Sequence, residues 1–280
     1  MTSVLQVQNL AVTYRGRRHV QAVQDVSLTI AAGEVLALVG ESGCGKSSTA
    51  RAVVGMERPA AGSVQFCGDP VPSVGLRRRP AAMTAIQMVF QDPNSSLNPR
   101  VRIGDQIADG VRAASSRGLP SHEPGWWLDA VGLEAGMVSR YPHQFSGGQR
   151  QRIAVARALA ARPDLLVADE PISALDASSQ AAVAAMMRRL CLEGGAAMLF
   201  ISHDLSVVRI MADRVAVMYR GRIVESGSTS TIWSDPVHPY TRALLAAIPH
   251  PDGQGRMPAA PAAEAPAEWL TAVDAALDRA

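Results

Sequence analysis

Long apolar runs are missing from this chain of 280 residues. The longest are VLALV (35–39), LLVA (165–168) and AAMLFI (196–201), far short of the roughly 18–20 residues that cross a bilayer. The amino-terminal stretch alternates apolar and polar residues and lacks the basic-then-apolar order of a signal peptide. The sequence therefore predicts a cytosolic protein without a transmembrane helix.

Cysteine is scarce. The three cysteines, Cys44, Cys67 and Cys191, lie far apart and form no CxxC pair. This spacing is unlike that of zinc or iron–sulfur ligands, and the low count is typical of proteins in a reducing compartment. We therefore expect neither a zinc site nor an iron–sulfur site.

Charge of neither sign is in excess, because 27 basic residues face 25 acidic ones and the net charge is +2. Such a chain has little electrostatic attraction for nucleic acid or anionic lipid. Lysine is almost absent, since 26 of the basic residues are arginines and Lys46 is the single lysine. A chain that uses arginine everywhere else is expected to need a lysine here for a specific reason.

Predicted strands alternate with predicted helices along most of the chain. Short segments of alternating polarity favour an antiparallel sheet with one wet face, and continuous apolar runs favour buried strands of a parallel sheet. This alternation predicts an α/β fold. The alternating strands are predicted at 4–7, 10–14 and 22–30, the buried strands at 34–40, 86–90, 165–169 and 198–202, the first helix at 46–55, and a helical insert at 95–160.

The single lysine lies in VGESGCGKSS (39–48), which contains the GxxxxGK[ST] pattern from Gly40 to Ser47. Between a buried strand and a helix, the glycines let backbone N–H groups surround a phosphate, and the helix start adds its positive end. Lys46 supplies a compact charge where a flat arginine fork would not fit. At about 4 Å from a phosphate charge, an ammonium gains about 4 kcal/mol at an effective dielectric constant of about 20. The pattern therefore predicts binding of a nucleotide phosphate, with Ser47 ligating Mg²⁺. The alternative is a glycine-rich turn that contains a lysine by chance.

Two neighbouring carboxylates end the apolar strand in LLVADEP (165–171). Asp169 is expected to hold Mg²⁺ through water, and Glu170 to polarise an attacking water molecule. The alternative is a chance pair of acids at a strand end, which is common. Their position after a phosphate loop favours the catalytic interpretation.

A second helix start follows in FSGGQ (145–149), ahead of the amphipathic segment RQRIAVARALA. Ser146 and Gln149 fit a capping box of the form S-x-x-Q. Two glycines leave backbone N–H groups accessible, which predicts a second anion site. The alternative is a plain helix cap with a glycine turn.

Together these motifs resemble the ATP-binding subunit of ABC transporters, whose signature motif reads LSGGQ, over residues 4–250. The resemblance implies a P-loop NTPase (RecA-like) core with an antiparallel β subdomain, an α-helical signature subdomain and a short C-terminal extension. In that family Gln91 (MVFQDP) matches the Q-loop, Asp176 (SALD) the D-loop and His203 (FISHDL) the switch histidine. Tyr14 is placed like the aromatic residue that stacks on adenine, although a strand tyrosine is often simple packing.

The resemblance implies a set of site residues. Those expected to bind ATP are Tyr14, Gly40, Ser42, Gly43, Cys44, Gly45, Lys46, Ser47, Ser48, Gln91, Ser146, Gly147, Gly148, Gln149 and Asp176. The catalytic residues are Lys46, Gln91, Glu170 and His203, and the Mg²⁺ ligands are Ser47, Gln91 and Asp169. Three positions depart from the family pattern without placing activity in doubt: Ser48 for Thr, Phe145 for Leu, and Ile172 for Thr. The Cys44 thiol is expected either to be acidic and reactive in the phosphate loop or to be a tolerated filler.

Two longer segments point to a subfamily. FQDPNSSLNPRVRIGDQI (90–107) and SDPVHPYTRALLAAIP (234–249) resemble the oligopeptide, dipeptide and nickel importer ATPases. The second segment marks the C-terminal extension of that group. Some members carry an iron–sulfur cluster after it, which is not expected here because no cysteine follows Cys191. We expect an ATPase domain at 1–226, the extension at 227–250 and an Ala/Pro-rich tail at 251–280.

The resemblance also implies a mechanism and partners. Two subunits would hold two ATP molecules with Mg²⁺ head to tail, each between one P-loop and the other subunit's signature. The expected partners are a second ATPase subunit (a paralogue, or a second copy), two membrane permease subunits and an extracytoplasmic solute-binding protein. The chain would lie on the cytoplasmic face of the cell membrane and couple ATP hydrolysis to peptide uptake.

Other functions are weaker alternatives. The cargo could be nickel or another small solute, because specificity lies in other subunits. A non-transport ABC ATPase would usually carry a coiled-coil insertion, zinc cysteines or two fused halves, and the sequence shows none. Glu170 and His203 argue against a non-catalytic scaffold, and the order of the signature and the acids argues against a small P-loop kinase.

Overall fold

The computed structural model describes residues 3–15, 19–75, 79–173, 175 and 177–248. Within these residues, ten strands form one four-stranded and one six-stranded sheet. The strands are β1 (Ser3–Arg15), β2 (His19–Ala31), β3 (Val35–Val39), β4 (Ala61–Phe66), β5 (Asp69–Pro70), β6 (Ile86–Val89), β7 (Leu165–Asp169), β8 (Ala197–Ile201), β9 (Arg214–Tyr219) and β10 (Arg222–Ser228).

The described residues also form nine α-helices, with 3₁₀ turns at 81–85, 135–139 and 142–144. Between β6 and β7 there are helices and turns only, as predicted for the insert, and within the described residues no helix has the length and apolarity to cross a membrane. The α-helices are α1 (Lys46–Val53), α2 (Pro93–Ser96), α3 (Ile103–Ser115), α4 (Pro124–Ala130), α5 (Gly147–Ala160), α6 (Ala177–Glu193), α7 (Leu205–Met211), α8 (Thr229–Ser234) and α9 (Pro239–Ala246).

The six-stranded sheet has the order β10-β9-β3-β8-β7-β6, in which only β10 is antiparallel to its neighbour. Every residue of β3, β7 and β8 is buried. Alternate residues of β3 enter different cores: Val35 and Val39 pack toward the helices of the insert, whereas Leu36 and Leu38 pack toward β1, β2 and α1. Burial on both faces explains the continuous apolar runs, and the predicted α/β fold class is confirmed.

The smaller sheet is antiparallel, with the order β2-β1-β4-β5. The sequence predicted separate strands at 4–7 and 10–14, but the structure has one continuous strand, β1, whose register shifts between Val7 and Leu10. In this irregular stretch both Asn9, with φ 46°, and its neighbour across the strands Asp25, with φ 58°, have positive φ. The side-chain amide of Asn9 donates to the Asp25 carboxylate at 2.7 Å. The predicted break is therefore a bulge, built from residue types that tolerate positive φ.

Strands β4, β5, β9 and β10 were not predicted from the sequence, and β5 has only two residues. Only two of the six β4 residues are buried, so its apolar signal is weak. β9 contains five buried residues in a row and carries a pattern that could have been found. β10 contains a glutamate, Glu225, that is buried in the structure, although in the sequence a glutamate indicates an exposed position. The expected boundary at residue 226 falls inside this strand.

The segment after β10 returns to the sheet and is held there by Glu225, which is 3% exposed. One carboxylate oxygen accepts the Val237 N–H at 2.8 Å, and the other accepts the His238 N–H at 3.0 Å. His238 is fully buried, and its Nδ1 accepts the Tyr240 N–H at 3.1 Å, which caps α9. The carboxylate of one strand thus fixes the start of the last described helix.

Replacing Glu225 by alanine is expected to lower the free energy of unfolding by about 2–4 kcal/mol, because one buried and one partly buried N–H group lose their acceptor. Glu225→Gln keeps one acceptor oxygen and should lower it by about half as much. Denaturant unfolding monitored by circular dichroism measures both values.

Glu193→Ala is the control for Glu225→Ala, because the Glu193 side chain is 60% exposed and, among the described residues, forms an ion pair only with Arg189, one turn away on α6. Such surface pairs contribute little, so this variant should stay within about 0.5 kcal/mol of the wild type. An equal loss in Glu225→Ala and Glu193→Ala would contradict the role given to Glu225.

Candidate active site

The loop between β3 and α1 is shaped by glycines. Gly40 has φ 151°, and a Cβ there would lie 2.1 Å from the carbonyl oxygen of Met218. Gly45, the N-cap of α1, has φ 112°, and a Cβ there would lie 2.3 Å from the carbonyl oxygen of Ala22. Among the described residues, no group accepts a hydrogen bond from the N–H of Gly43 or Gly45. The loop therefore presents backbone donors at a helix start, the arrangement that binds phosphate.

Lys46 begins α1 and is 5% exposed. Its Nζ donates to the carbonyl oxygens of Gly40 at 2.7 Å and Glu41 at 2.8 Å, and lies 3.8 Å from the Cys44 thiol. Among the described residues it forms no ion pair with a carboxylate. A buried cation held only by neutral groups is stabilised by a bound anion.

The Ser47 hydroxyl, in the next position, donates to Oδ1 of Asp169 at 3.0 Å. Asp169 is the last residue of β7 and is 4% exposed. Burial raises the pKa of its carboxyl group, while the hydrogen bond from Ser47 opposes that shift. A hydroxyl and a buried carboxylate side by side are the oxygen ligands that Mg²⁺ takes, so the donor set fits this cation.

Glu170 follows β7 with φ 46°, and its N–H donates to the carbonyl oxygen of Ile201. Its Oε2 accepts a hydrogen bond from Nε2 of Gln91 at 2.9 Å and lies 3.3 Å from Nδ1 of His203. These three side chains follow the carboxyl ends of the neighbouring strands β6, β7 and β8, the edge where ligands bind in open α/β sheets. The structure brings together three residues predicted from separate motifs.

A cleft of about 450 Å³ opens between the glycine-rich loop and this carboxylate. That volume is in the range of small-molecule sites. Its described lining residues are Ala22, Ser42, Gly43, Gly45, Lys46, Ser47, Ser48, Gln91, Glu170 and His203. All but Ala22 were predicted from the sequence. Ala22 is a small residue of β2, and nothing in the adjacent sequence marks it as a site residue.

Two of the predicted binding residues lie behind the cleft. The Tyr14 hydroxyl donates to Oγ of Ser48 at 3.1 Å, so Tyr14 is near the loop, and its stacking on adenine stays a prediction. Cys44 is 6% exposed, and burial raises the pKa of its thiol despite the neighbouring Lys46. Of the two alternatives for Cys44, this environment favours the tolerated filler over the acidic, reactive thiol.

The signature segment forms the start of α5. Oγ of Ser146 accepts the Gln149 N–H at 3.3 Å, and Oε1 of Gln149 accepts the Ser146 N–H at 2.9 Å, which confirms the predicted capping box. A Cβ at Gly147 would meet no atom within 4 Å, whereas one at Gly148 would lie 2.9 Å from Leu175. None of these four predicted binding residues is among the described residues that line the cleft. Asp176 lies outside the described residues.

Comparison with known proteins agrees with this geometry. The family model "ABC transporter" matches residues 23–173, and the model "Oligopeptide/dipeptide transporter, C-terminal region" matches residues 224–270. The oligopeptide transport ATP-binding protein OppF of Bacillus subtilis is 47% identical over 248 residues, 86% of this chain and 80% of the relative. The di/tripeptide transport ATP-binding protein DppF of Pseudomonas aeruginosa is 48% identical over 243 residues, 85% of this chain and 75% of the relative.

Among solved structures, a dimeric ATP-binding cassette in a post-hydrolysis state bound to ADP and Pi superposes with a TM-score of 0.68 at 25% identity. The superposition covers 80% of this chain and 98% of the chain in that structure. The chain belongs to the ABC transporter family. It is a nucleotide-binding subunit with ATPase activity.

Changing Lys46 to arginine is expected to weaken nucleotide binding about as much as changing it to alanine, by at least about tenfold. The arginine keeps the charge, but its planar fork has no room in a hole that leaves lysine 5% exposed. Equilibrium binding of a fluorescent ATP analogue measures the effect.

Arg189→Lys, the reverse exchange on the exposed face of α6, is the control for Lys46→Arg and should bind nucleotide normally. Normal affinity in Lys46→Arg would show that any cation suffices at position 46.

Proposed function

We propose that this chain couples ATP hydrolysis to the import of peptides, as one of two ATPase subunits on the cytoplasmic face of a membrane permease. The observation that carries the proposal is the Glu170 carboxylate, held between Gln91 and His203 at the rim of the phosphate-loop cleft. The names of the relatives, oligopeptide and di/tripeptide transport ATP-binding proteins, support the peptide cargo.

ATP binding is assigned to the glycine-rich loop and Lys46. The N–H groups of Gly43 and Gly45 and the Lys46 ammonium line the cleft and would bind the phosphates, with Lys46 offsetting the negative charge of the β and γ groups. Ser47 and Asp169 would hold Mg²⁺, with Gln91 as a third oxygen ligand through its amide. When bound, Mg²⁺ neutralises charge that develops on the phosphates.

The hydrolytic step is assigned to Glu170. Its Oε2 is occupied by Gln91 and His203, and among the described residues nothing donates to Oε1. Oε1 is therefore the oxygen that accepts a proton from the attacking water, while the other two side chains fix its direction. The His203 side chain is 60% exposed and lines the cleft, so it would be available to contact the γ-phosphate.

The signature segment is assigned to the cleft of a second subunit. Gly147 is exposed, and neither a positive φ nor a close neighbour requires glycine there within the chain. A missing side chain at an accessible helix start is explained by a ligand that approaches from outside, which would be the partner's ATP. The partner is a paralogous ATPase subunit or a second copy, and Asp176 would lie at the same boundary. Two permease subunits and a solute-binding protein complete the transporter.

Glu170→Gln tests the catalytic assignment. The variant should bind ATP with wild-type affinity but hydrolyse it at least about 100-fold more slowly, since an amide accepts no proton from water. In cells that contain the complete transporter, uptake of a labelled tripeptide should be lost as well. Phosphate release and peptide uptake are the two measurements.

Glu193→Gln, on an exposed face, is the control for Glu170→Gln and should change neither phosphate release nor uptake. Wild-type hydrolysis in Glu170→Gln would remove Glu170 from the mechanism. If Glu170→Gln abolished nickel uptake and left peptide uptake unchanged, the cargo would be nickel and not peptides.

Gly147→Ala tests the assignment of the signature segment. Alanine is a better helix former by about 1 kcal/mol, so the free energy of unfolding should not fall. The ATPase rate of the assembled transporter should nevertheless drop by at least about tenfold, because a shift of about 1 Å in a bound reactant costs up to about 10². Gly136→Ala, at another glycine with open surroundings, is the control and should keep full activity. Full activity of Gly147→Ala would place the ligand elsewhere.

A further inference from the structure

The phosphate loop is in direct contact with the carboxyl-terminal segment. The Glu41 N–H donates to the hydroxyl oxygen of Tyr240 at 3.0 Å, across 199 positions of sequence. Tyr240 lies in the first turn of α9 and is 1% exposed. The hydrogen bond is partly buried, because Tyr240 is enclosed while Glu41 is exposed, and its loss would leave a loop N–H without its protein acceptor.

Glu41 occupies a central position in the loop. Its carbonyl oxygen accepts the Lys46 ammonium at 2.8 Å and the Cys44 N–H at 3.3 Å. The carbonyl of Gly40, which shares a peptide unit with the Glu41 N–H, accepts Lys46 at 2.7 Å. The hydrogen bond to Tyr240 therefore holds the Gly40–Glu41 peptide unit, and Lys46 is oriented by the carbonyl of this unit and by that of the next one.

Tyr240 is itself firmly positioned. Its ring packs against Tyr219 of β9 with a centroid separation of 4.4 Å. Its backbone N–H donates to Nδ1 of His238, whose own N–H is held by the Glu225 carboxylate. A rigid support of this kind can fix the geometry of a loop before a ligand arrives.

We propose that Tyr240 is a positioning residue for the ATP site, through which the carboxyl-terminal segment preorganises the phosphate loop. This inference rests on the proposed function of the cleft as an ATP site. It assigns the segment matched by the "Oligopeptide/dipeptide transporter, C-terminal region" model a task inside the ATPase itself. Without the hydroxyl, the loop would sample other orientations of the peptide between Gly40 and Glu41, and ATP would have to select the competent one.

The hydroxyl acts as a neutral group. Burial raises the pKa of Tyr240 far above its ordinary value, with the Glu41 backbone opposing the shift. A protonated phenol accepts the Glu41 N–H and carries no charge toward the phosphates. The effect on ATP should therefore act through loop geometry and should not vary with pH in the neutral range.

The decisive variant is Tyr240→Phe, which removes one oxygen and keeps the ring against Tyr219. Thr241→Val is the matched control: Thr241 is the next residue, is 1% exposed, and its hydroxyl has no hydrogen-bond partner among the described residues. Both variants exchange a buried hydroxyl for an apolar group in the same helix, and only one of the two hydroxyls touches the loop.

Two measurements on the full-length chain test the proposal. In the nucleotide-free protein, hydrogen–deuterium exchange at the Glu41 amide should be about threefold to tenfold faster in Tyr240→Phe and unchanged in Thr241→Val. The dissociation constant of ATP and the KM of hydrolysis should rise by about the same factor in Tyr240→Phe alone, while kcat changes by less than about twofold.

Other outcomes overturn the proposal. Unchanged exchange and affinity in Tyr240→Phe would show that the contact is packing only, and equal changes in both variants would assign them to general loosening of α9. A fall in kcat at constant affinity would also contradict a positioning role in binding. If the wild-type chain neither binds nor hydrolyses ATP, the proposed function fails, whereas the exchange comparison still decides whether Tyr240 holds the loop.

Discussion

The site depends on one buried cation. Lys46 is enclosed at the start of α1, and among the described residues its ammonium is held by the carbonyls of Gly40 and Glu41 and not by a carboxylate. Desolvating an ammonium is costly, and neutral acceptors compensate only part of the cost. The loop must therefore keep two carbonyls in place around a hole that favours a polyphosphate. This requirement accounts for the glycines, which give the loop positive φ angles and room against neighbouring backbone.

The rest of the fold supports that loop from several sides. The turn between β9 and β10 reaches it through the Gly221 N–H, which donates to the Cys44 carbonyl at 2.8 Å. The Met218 carbonyl of β9 lies against Gly40, and Tyr240 holds Glu41 from α9. Much of the support thus comes from residues after position 213, far along the chain. A loop fixed in this way loses little entropy when it binds, which favours affinity.

The parts of the site that could be predicted from the sequence are those whose functional residues lie together in one short segment. The phosphate loop, Asp169 with Glu170, and His203 each follow an apolar run that a buried strand produces, so residue types and spacing were sufficient. The bond between Tyr240 and Glu41 left no trace in the sequence, because a backbone N–H occurs at almost every position and the partner is 199 residues away. Strand β10 was missed for a related reason. Its buried acid, Glu225, looks like a surface residue in the sequence, and the N–H groups that satisfy it come from a later segment of the chain. The bulge in β1 likewise looked like a strand end.

A chain with one lysine has one side-chain amine, and that amine lies in the phosphate cleft. Growth on lysine that carries ¹⁵N only at its side-chain nitrogen would therefore place a single lysine resonance in the NMR spectrum, from the ammonium of the proposed phosphate site. The resonance would report on the electrostatic surroundings of one nitrogen without any engineered label. The absence of lysine elsewhere in the sequence makes the phosphate loop spectroscopically distinct within the protein.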